Sequence, residues 1–97
     1  MKTFRLTIVT PEGRAYRGDV QSMSAPGVLG SLGVWPGHAP MLSALGRGVV
    51  KATAESSEQY FAIESGFLEV RRDEVVVLAP SARAVQESTS AKPVHQA

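Results

Sequence analysis

Phe4-Arg5-Leu6-Thr7-Ile8 decides the fold class of this chain. Large apolar side chains at 4, 6 and 8 alternate with Arg5 and Thr7, the two-residue period of a strand buried on one face. Working outward, the same β-like character recurs in Asp19 to Ala25, Gly48 to Ala54, Gln59 to Ser65, Phe67 to Arg71 and Val75 to Ala79. Met41 to Leu45 is shorter and reads as strand or extended loop. Turn-forming clusters separate the runs: Pro11-Glu12-Gly13, Ala25-Pro26-Gly27, Pro36-Gly37, Gly46-Arg47-Gly48, Glu55-Ser56-Ser57-Glu58 and Arg72-Asp73-Glu74. Short strands with a turn roughly every ten residues predict an antiparallel β-sandwich or barrel. Val75-Val76-Val77-Leu78 is apolar on both faces, which places that strand inside a sheet. No internal repeat is present.

The chain has 97 residues, enough for one domain with its own core. Hydrophobic residues make up 43% and charged residues 20%, as in an ordinary globular protein. A formal net charge of +1 provides no field to gather nucleic acid. Without cysteine, disulfides and thiolate metal sites are excluded, and the composition fits a reducing cytosol. The opening Met1 to Leu6 reads as strand rather than signal peptide, because no apolar run follows its basic residues. No stretch approaches the ~20 apolar residues that cross a bilayer. Direct membrane insertion is therefore not expected, and work at a membrane would need another subunit to hold the chain there. Residues 1–85 read as the folded unit. Gln86 to Ala97 is polar, carries Pro93, and is expected to be a disordered or weakly docked tail.

The densest local signal is Gly30-Ser31-Leu32-Gly33-Val34-Trp35-Pro36-Gly37-His38-Ala39-Pro40-Met41-Leu42. Glycine permits positive φ and proline fixes φ, so the backbone is dictated closely although no nucleophile is obvious. Such a segment shapes a surface for contact. Little else points to chemistry. His38 and His95 have no neighbours at metal-ligand spacing. His38, in a turn, is read as holding the loop through a nearby carbonyl or as contacting a partner; general-base work needs an oriented partner and a pocket. Gly27, Gly30 and Gly33 recur every third residue but match neither a dinucleotide nor a phosphate loop, and are read as turn glycines. Glu64 and Glu69 flank Gly66 with no reason to converge. Trp35 and Phe67 lack the interleaved basic residues of a base-stacking surface, and core or interface packing is the preferred reading. No cofactor is called for.

The Gly30 to Leu42 run resembles the signature of the epsilon subunit of F-type rotary ATP synthase, which reads Gly-x-Leu-Gly, then Pro-Gly-His-Ala-Pro and two apolar residues. Further blocks match in order: Leu6-Thr7-Ile8-Val9-Thr10-Pro11, Gly18-Asp19-Val20, Gly46 and Gly48 leading into Val49-Val50-Lys51, Ser65-Gly66-Phe67-Leu68-Glu69-Val70, and Val75-Val76-Val77-Leu78-Ala79. The likeness covers about residues 3 to 85.

What the resemblance implies is a ten-stranded β-sandwich in the rotor, between the gamma shaft and the membrane c-ring, coupling proton-driven rotation to ATP synthesis. The catalytic-head subunits are reached only indirectly, and no active site is implied. The location implied is the cytoplasmic face of the inner (plasma) membrane, as a peripheral subunit. The partner-binding residues expected are Gly30, Ser31, Leu32, Gly33, Trp35, Pro36, Gly37, His38, Ala39, Pro40, Met41 and Leu42, with the Gly30 to Gly33 tip and the Pro36 to Leu42 loop forming one partner-facing end. Apolar side chains such as Leu32, Val34, Trp35 and Met41 are expected where a partner covers them.

Two departures from the family pattern stand out. Ser31 occupies a position that is commonly acidic, so a charge-assisted contact is lost there. After Val85 there remain twelve residues, about 18 Å even if fully helical, too few for the family's inhibitory C-terminal hairpin. Either the subunit is naturally short or the sequence is cut from a longer one; the first, unable to brake hydrolysis or bind ATP through such a hairpin, is the expectation. The alternatives are a free-standing β-sandwich module binding peptide or carbohydrate, and a small enzyme.

Overall fold

The computed structural model describes residues 2–86. It contains ten strands: β1 Phe4–Thr10, β2 Gly13–Val20, β3 Ser22–Gly27, β4 Gly30–Val34, β5 Met41–Leu45, β6 Gly48–Thr53, β7 Glu58–Ile63, β8 Gly66–Val70, β9 Glu74–Leu78 and β10 Arg83–Val85. They form one hydrogen-bonded ladder, β10-β7-β6-β3-β5-β8-β9-β1-β2, with β4 paired to β3. Every pairing is antiparallel except β1 with β9, which run parallel from Arg5↔Glu74 to Val9↔Leu78. The expectation of ten strands is met, with that single parallel pair inside an otherwise antiparallel arrangement.

The ladder folds over at its thinnest point. β3 and β5 share one bridge, Gly27↔Leu45. On one side lies the sheet β10-β7-β6-β3-β4, and on the other β5-β8-β9-β1-β2. The first contributes Met23, Ala25, Val34, Val50, Ala52, Phe61 and Ile63 to the core; the second contributes Phe4, Leu6, Ile8, Val20, Leu45, Leu68, Val70, Val75 and Val77. All belong to a single cluster, so the two inner faces meet. Tyr16 on β2 and Phe61 on β7, near opposite ends of the ladder, have ring centroids 5.3 Å apart. The result is a sandwich, and the barrel alternative is set aside. Among the described residues no polar or charged side chain is buried. Each fully buried Leu, Ile or Val contributes roughly 1.5–3 kcal/mol by leaving water.

Alternation explains most elements directly: β1 buries Phe4, Leu6 and Ile8, as its opening residues predict. β9 lies between β8 and β1, inside the sheet, as its apolar run predicts. Met41 to Leu45 resolves as strand.

Three readings need correction. Asp19 to Ala25 is not one strand. Val20 and Met23 both point into the core, a spacing of three that a strand of period two cannot accommodate, so the chain bends at Gln21 between β2 and β3. Pro26 and Gly27 are not a turn; they belong to β3, opposite Ser31 and Gly30, and Val28–Leu29 makes the turn instead. Pro26 brings no N–H to the ladder, and its carbonyl accepts the Gly46 N–H at 2.8 Å. Finally, Gly30 to Val34 is strand β4, and the three-residue β10 was not foreseen; it is too short to show a period. The tail beyond residue 86, with His95 and Pro93, lies outside the described residues.

Candidate functional site

The Pro36 to Leu42 segment begins with a turn. The His38 N–H donates to the Trp35 carbonyl at 3.1 Å, and Gly37 sits at φ +84°, in the left-handed region. The His38 ring Nδ1–H donates to the Ala39 carbonyl at 2.9 Å, which pins the ring to its own loop as the first of its two readings anticipates. The loop lies against the β8–β9 turn, and between them is a shallow cavity of about 570 Å³ lined by Gly37, His38, Ala39, Pro40, Arg72 and Asp73.

The Gly30 tip is elsewhere. β4 carries the chain from the Val28–Leu29 turn towards Trp35, about 13 Å at the usual rise of an extended strand. The tip therefore neighbours the β5–β6 turn, where the Val28 N–H meets the Ala44 carbonyl at 3.1 Å, and Leu29 there is fully exposed. Gly30 and the Pro36 to Pro40 turn therefore stand at opposite ends of β4, with Gly33 beside Trp35 between them.

Side-chain direction divides the segment again. Val34 is buried at 1% exposure, and Leu32 and Met41 pack against the core. Val34 is thus a core residue, whereas Leu32 and Met41 are half-buried. Trp35 is 61% exposed and lies over Gly33 on the outer face of the β3–β4–β6–β7 sheet. Leu42, 72% exposed, points from β5 to the outer face of the other sheet. Gly30 has φ +138°, but Gly33 is not among the positive-φ glycines; its place is set by the ring above it.

Around Leu42 the structure assembles an apolar row that the sequence did not reveal. Ala44 pairs with Phe67, Phe67 with Leu78, and Leu78 with Val9. Phe67 is 56% and Leu78 49% exposed. The row lines an open groove of about 590 Å³, to which Pro11 and Pro80 also contribute. A signal existed: Phe67 and Leu78 fall out of phase with buried Leu68 and Val77, so each strand predicts one outward apolar residue. That four strands align them depends on pairing register. The core-packing reading of Trp35 and Phe67 is excluded by their exposure.

Titratable groups do not gather. Arg47 and Glu64 pair at 2.8 Å, and Arg71 and Glu69 at 3.2 Å, so the two glutamates are held by separate exposed arginines. The Tyr60 hydroxyl and Lys51 hold the Glu58 carboxyl below its ordinary pKa, and burial, followed by the Asp19 charge, raises that of Tyr16. Among the described residues no group of His, Asp or Glu side chains is placed to hold a metal ion, and no helix is long and apolar enough to cross a membrane. Among the described residues the geometry offers surfaces for contact, with these carboxylates held in separate exposed ion pairs.

Known proteins align with this picture. Residues 3–85 match the family described as ATP synthase, Delta/Epsilon chain, beta-sandwich domain. The ATP synthase epsilon chain of Anoxybacillus flavithermus is 41% identical over 87 residues, covering 90% of this chain and 65% of that protein. That of Alkalihalophilus pseudofirmus is 40% identical over 97 residues, covering 95% of this chain and 73% of the relative. The chain thus spans about two thirds of the length of these relatives. Among solved structures, a chain of the Euglena gracilis mitochondrial ATP synthase (OSCP, F1 and c-ring, rotational state 1) superposes with a TM-score of 0.79 at 20% identity, covering 84% of this chain and 53% of that one. A chain of the Tetrahymena thermophila mitochondrial ATP synthase central stalk and c-ring gives 0.70 at 18%, covering 84% and 66%. These two likenesses concern the fold.

Proposed function

The chain belongs to the ATP synthase delta/epsilon family through its β-sandwich domain, and on that premise we propose that it is a rotor subunit of the central stalk of an F-type ATP synthase. It joins the gamma shaft to the c-ring, touches the catalytic head only indirectly, and performs no bond-making step. The unit that does this is residues 1–85. It works as a peripheral subunit on the cytoplasmic face of the plasma membrane.

One observation carries the reading: exposed apolar side chains face several directions on a sandwich with a wholly apolar interior. Leu29 stands at one end, Trp35 on one face, and Leu42, Phe67 and Leu78 on the other. A module that binds one small ligand concentrates such residues in one pocket. A part wedged between larger bodies distributes them, and a close-packed interior lets it transmit torque without shearing. The named residues from Gly30 to Leu42 then serve as two contacts rather than one: Gly30, Ser31 and the Leu29 tip at one end, and Pro36 to Pro40 at the other. Leu32 and Met41 support them by packing against the core, and Gly33 carries the Trp35 ring on the outer face.

Reconstitution tests this. The chain is mixed with the gamma subunit and c-ring of the same enzyme, and complex formation is followed by size exclusion. A stoichiometric complex is expected. Absence of binding to both, with capture of a peptide or glycan instead, would leave the free-standing module as the better reading.

A further inference from the structure

The two sheets of the sandwich are joined differently along their two sides. On one side the ladder crosses from sheet to sheet through Gly27↔Leu45. On the other it ends at β2 and β10, which do not pair with each other. Across that open side Tyr16 on β2 meets Phe61 on β7, their rings tilted at 51°. Phe61 is buried and Tyr16 is half-buried against the core.

β2 has few other holds. Its inward positions are Tyr16, Gly18 and Val20, opposite Ile8, Leu6 and Phe4 of β1. Val20 is buried at the far end of the strand, and Gly18 has no side chain to bury. The Tyr16 ring covers that gap. A Cβ on Gly18 would lie 2.7 Å from the Tyr16 hydroxyl oxygen and 3.1 Å from Cζ. Gly18 is not among the positive-φ glycines, so a side chain there would disturb the ring and not the backbone. Beside Tyr16 the β1–β2 register shifts between Ile8 and Val9, passing over Ala15 and interrupting the ladder. Arg14, Arg17 and Asp19 are exposed. The first half of β2 is thus held by an interrupted ladder to one neighbour and by one inward ring.

We propose that Tyr16 is a clasp. Its ring, seated on Gly18 against Phe61, holds the edge strand β2 down across the open side. Its release lets β2 peel from β1 while the remaining strands stay folded. The inference goes beyond the rotor reading and does not depend on it. A tilted aromatic pair adds a preferred geometry to the area that it buries, which suits a contact made by one side chain alone. A strand paired on one side only, with few buried apolar contacts, belongs to the part of a fold that opens first. β1 is bonded on both sides, by β2 and β9, so the opening stops there.

Native-state hydrogen exchange, followed amide by amide by NMR on the full chain, tests this. Tyr16→Ala, Tyr16→Phe and Gly18→Ala are compared with wild type and with Leu68→Ala, which weakens the core on β8, away from β2. Tyr16→Phe keeps the ring, and exchange within about twofold of wild type is expected. Tyr16→Ala should speed the β2 amides that bond to β1 at least about tenfold relative to those of β8 and β9. Gly18→Ala, which keeps the ring but lifts it from its seat, should shift exchange in the same direction. If Tyr16→Ala does not fold, Gly18→Ala decides alone. Acceleration spread over β2, β8 and β9 as in Leu68→Ala would make Tyr16 an ordinary core residue and overturn the proposal. Unchanged exchange of β2 in the folded variants would overturn it too.

Discussion

The indole ring of Trp35 lies across Gly33, so that a Cβ at residue 33 would come within 2.7 Å of ring atom Cη2. Because Gly33 does not occupy the left-handed region, an alanine there meets no backbone strain. It meets only the far edge of a mobile ring, which can swing outward. Gly33→Ala is therefore expected to change stability by less than about 1 kcal/mol while displacing Trp35. As the chain has a single tryptophan, its emission reports the move: a red shift and stronger iodide quenching are expected. Unchanged emission would mean that the ring does not rest on Gly33.

Gly66 presents the opposite case. A Cβ there would lie 2.4 Å from the backbone carbonyl oxygen of Leu78 and 3.3 Å from the Ala79 Cβ. A carbonyl within a packed sheet cannot swing away as a ring can. Gly66→Ala should force β8 and β9 apart and destabilise by about 1–3 kcal/mol, the usual range for overpacking. Urea denaturation should show a lower midpoint at unchanged slope. A midpoint equal to wild type would show that the two strands yield.

How far the sequence carries can be read from these two glycines. Both sit in blocks that the resemblance identified, yet neither reason for glycine is written locally. One is a ring two residues ahead that folds back, and the other is a carbonyl on the neighbouring strand. The strands themselves were legible wherever a period of two ran unbroken, as in β1. They were obscured where the period breaks at Val20 and Met23, where Pro26 enters a strand, and where three residues suffice for β10. At the surface, the Pro36 to Leu42 turn was visible in its glycine and prolines, and so was the self-contact of His38. The division of the Gly30 to Leu42 segment between opposite ends and faces was not. It depends on β4 carrying the chain from the Val28–Leu29 turn to Trp35, and on Met41 and Leu42 pointing to opposite sides of β5.

Leu68 and Phe67 are adjacent on β8 and should separate stability from assembly. Leu68 is fully buried, and Phe67 is more than half exposed. Leu68→Ala leaves a cavity between the sheets and is expected to cost about 2–5 kcal/mol. Phe67→Ser should cost under about 1 kcal/mol yet weaken assembly with the stalk and ring, since exposed large aromatics are enriched in interfaces. Thermal unfolding and a binding titration on both variants check this. A Phe67→Ser variant that binds as wild type does would remove the apolar row from the interface.

Leu29 and His38 lie at opposite ends of one molecule, and that separation makes a quantitative prediction. Leu29 is fully exposed on the β3–β4 turn, whereas His38 braces the β4–β5 loop through Ala39. If both ends bear on partners, Leu29→Ser and His38→Ala should each weaken assembly with the stalk and ring modestly. They share no contact and are separated by the length of β4, so their effects should add, with a coupling below about 0.5 kcal/mol. Residues within one continuous patch would instead show coupling of about 0.5–3 kcal/mol. The double-mutant cycle, read as retention of the subunit in the reconstituted complex, decides between them. Strong coupling would mean that one partner surface wraps both ends, or that the loop and the tip move together when the complex forms.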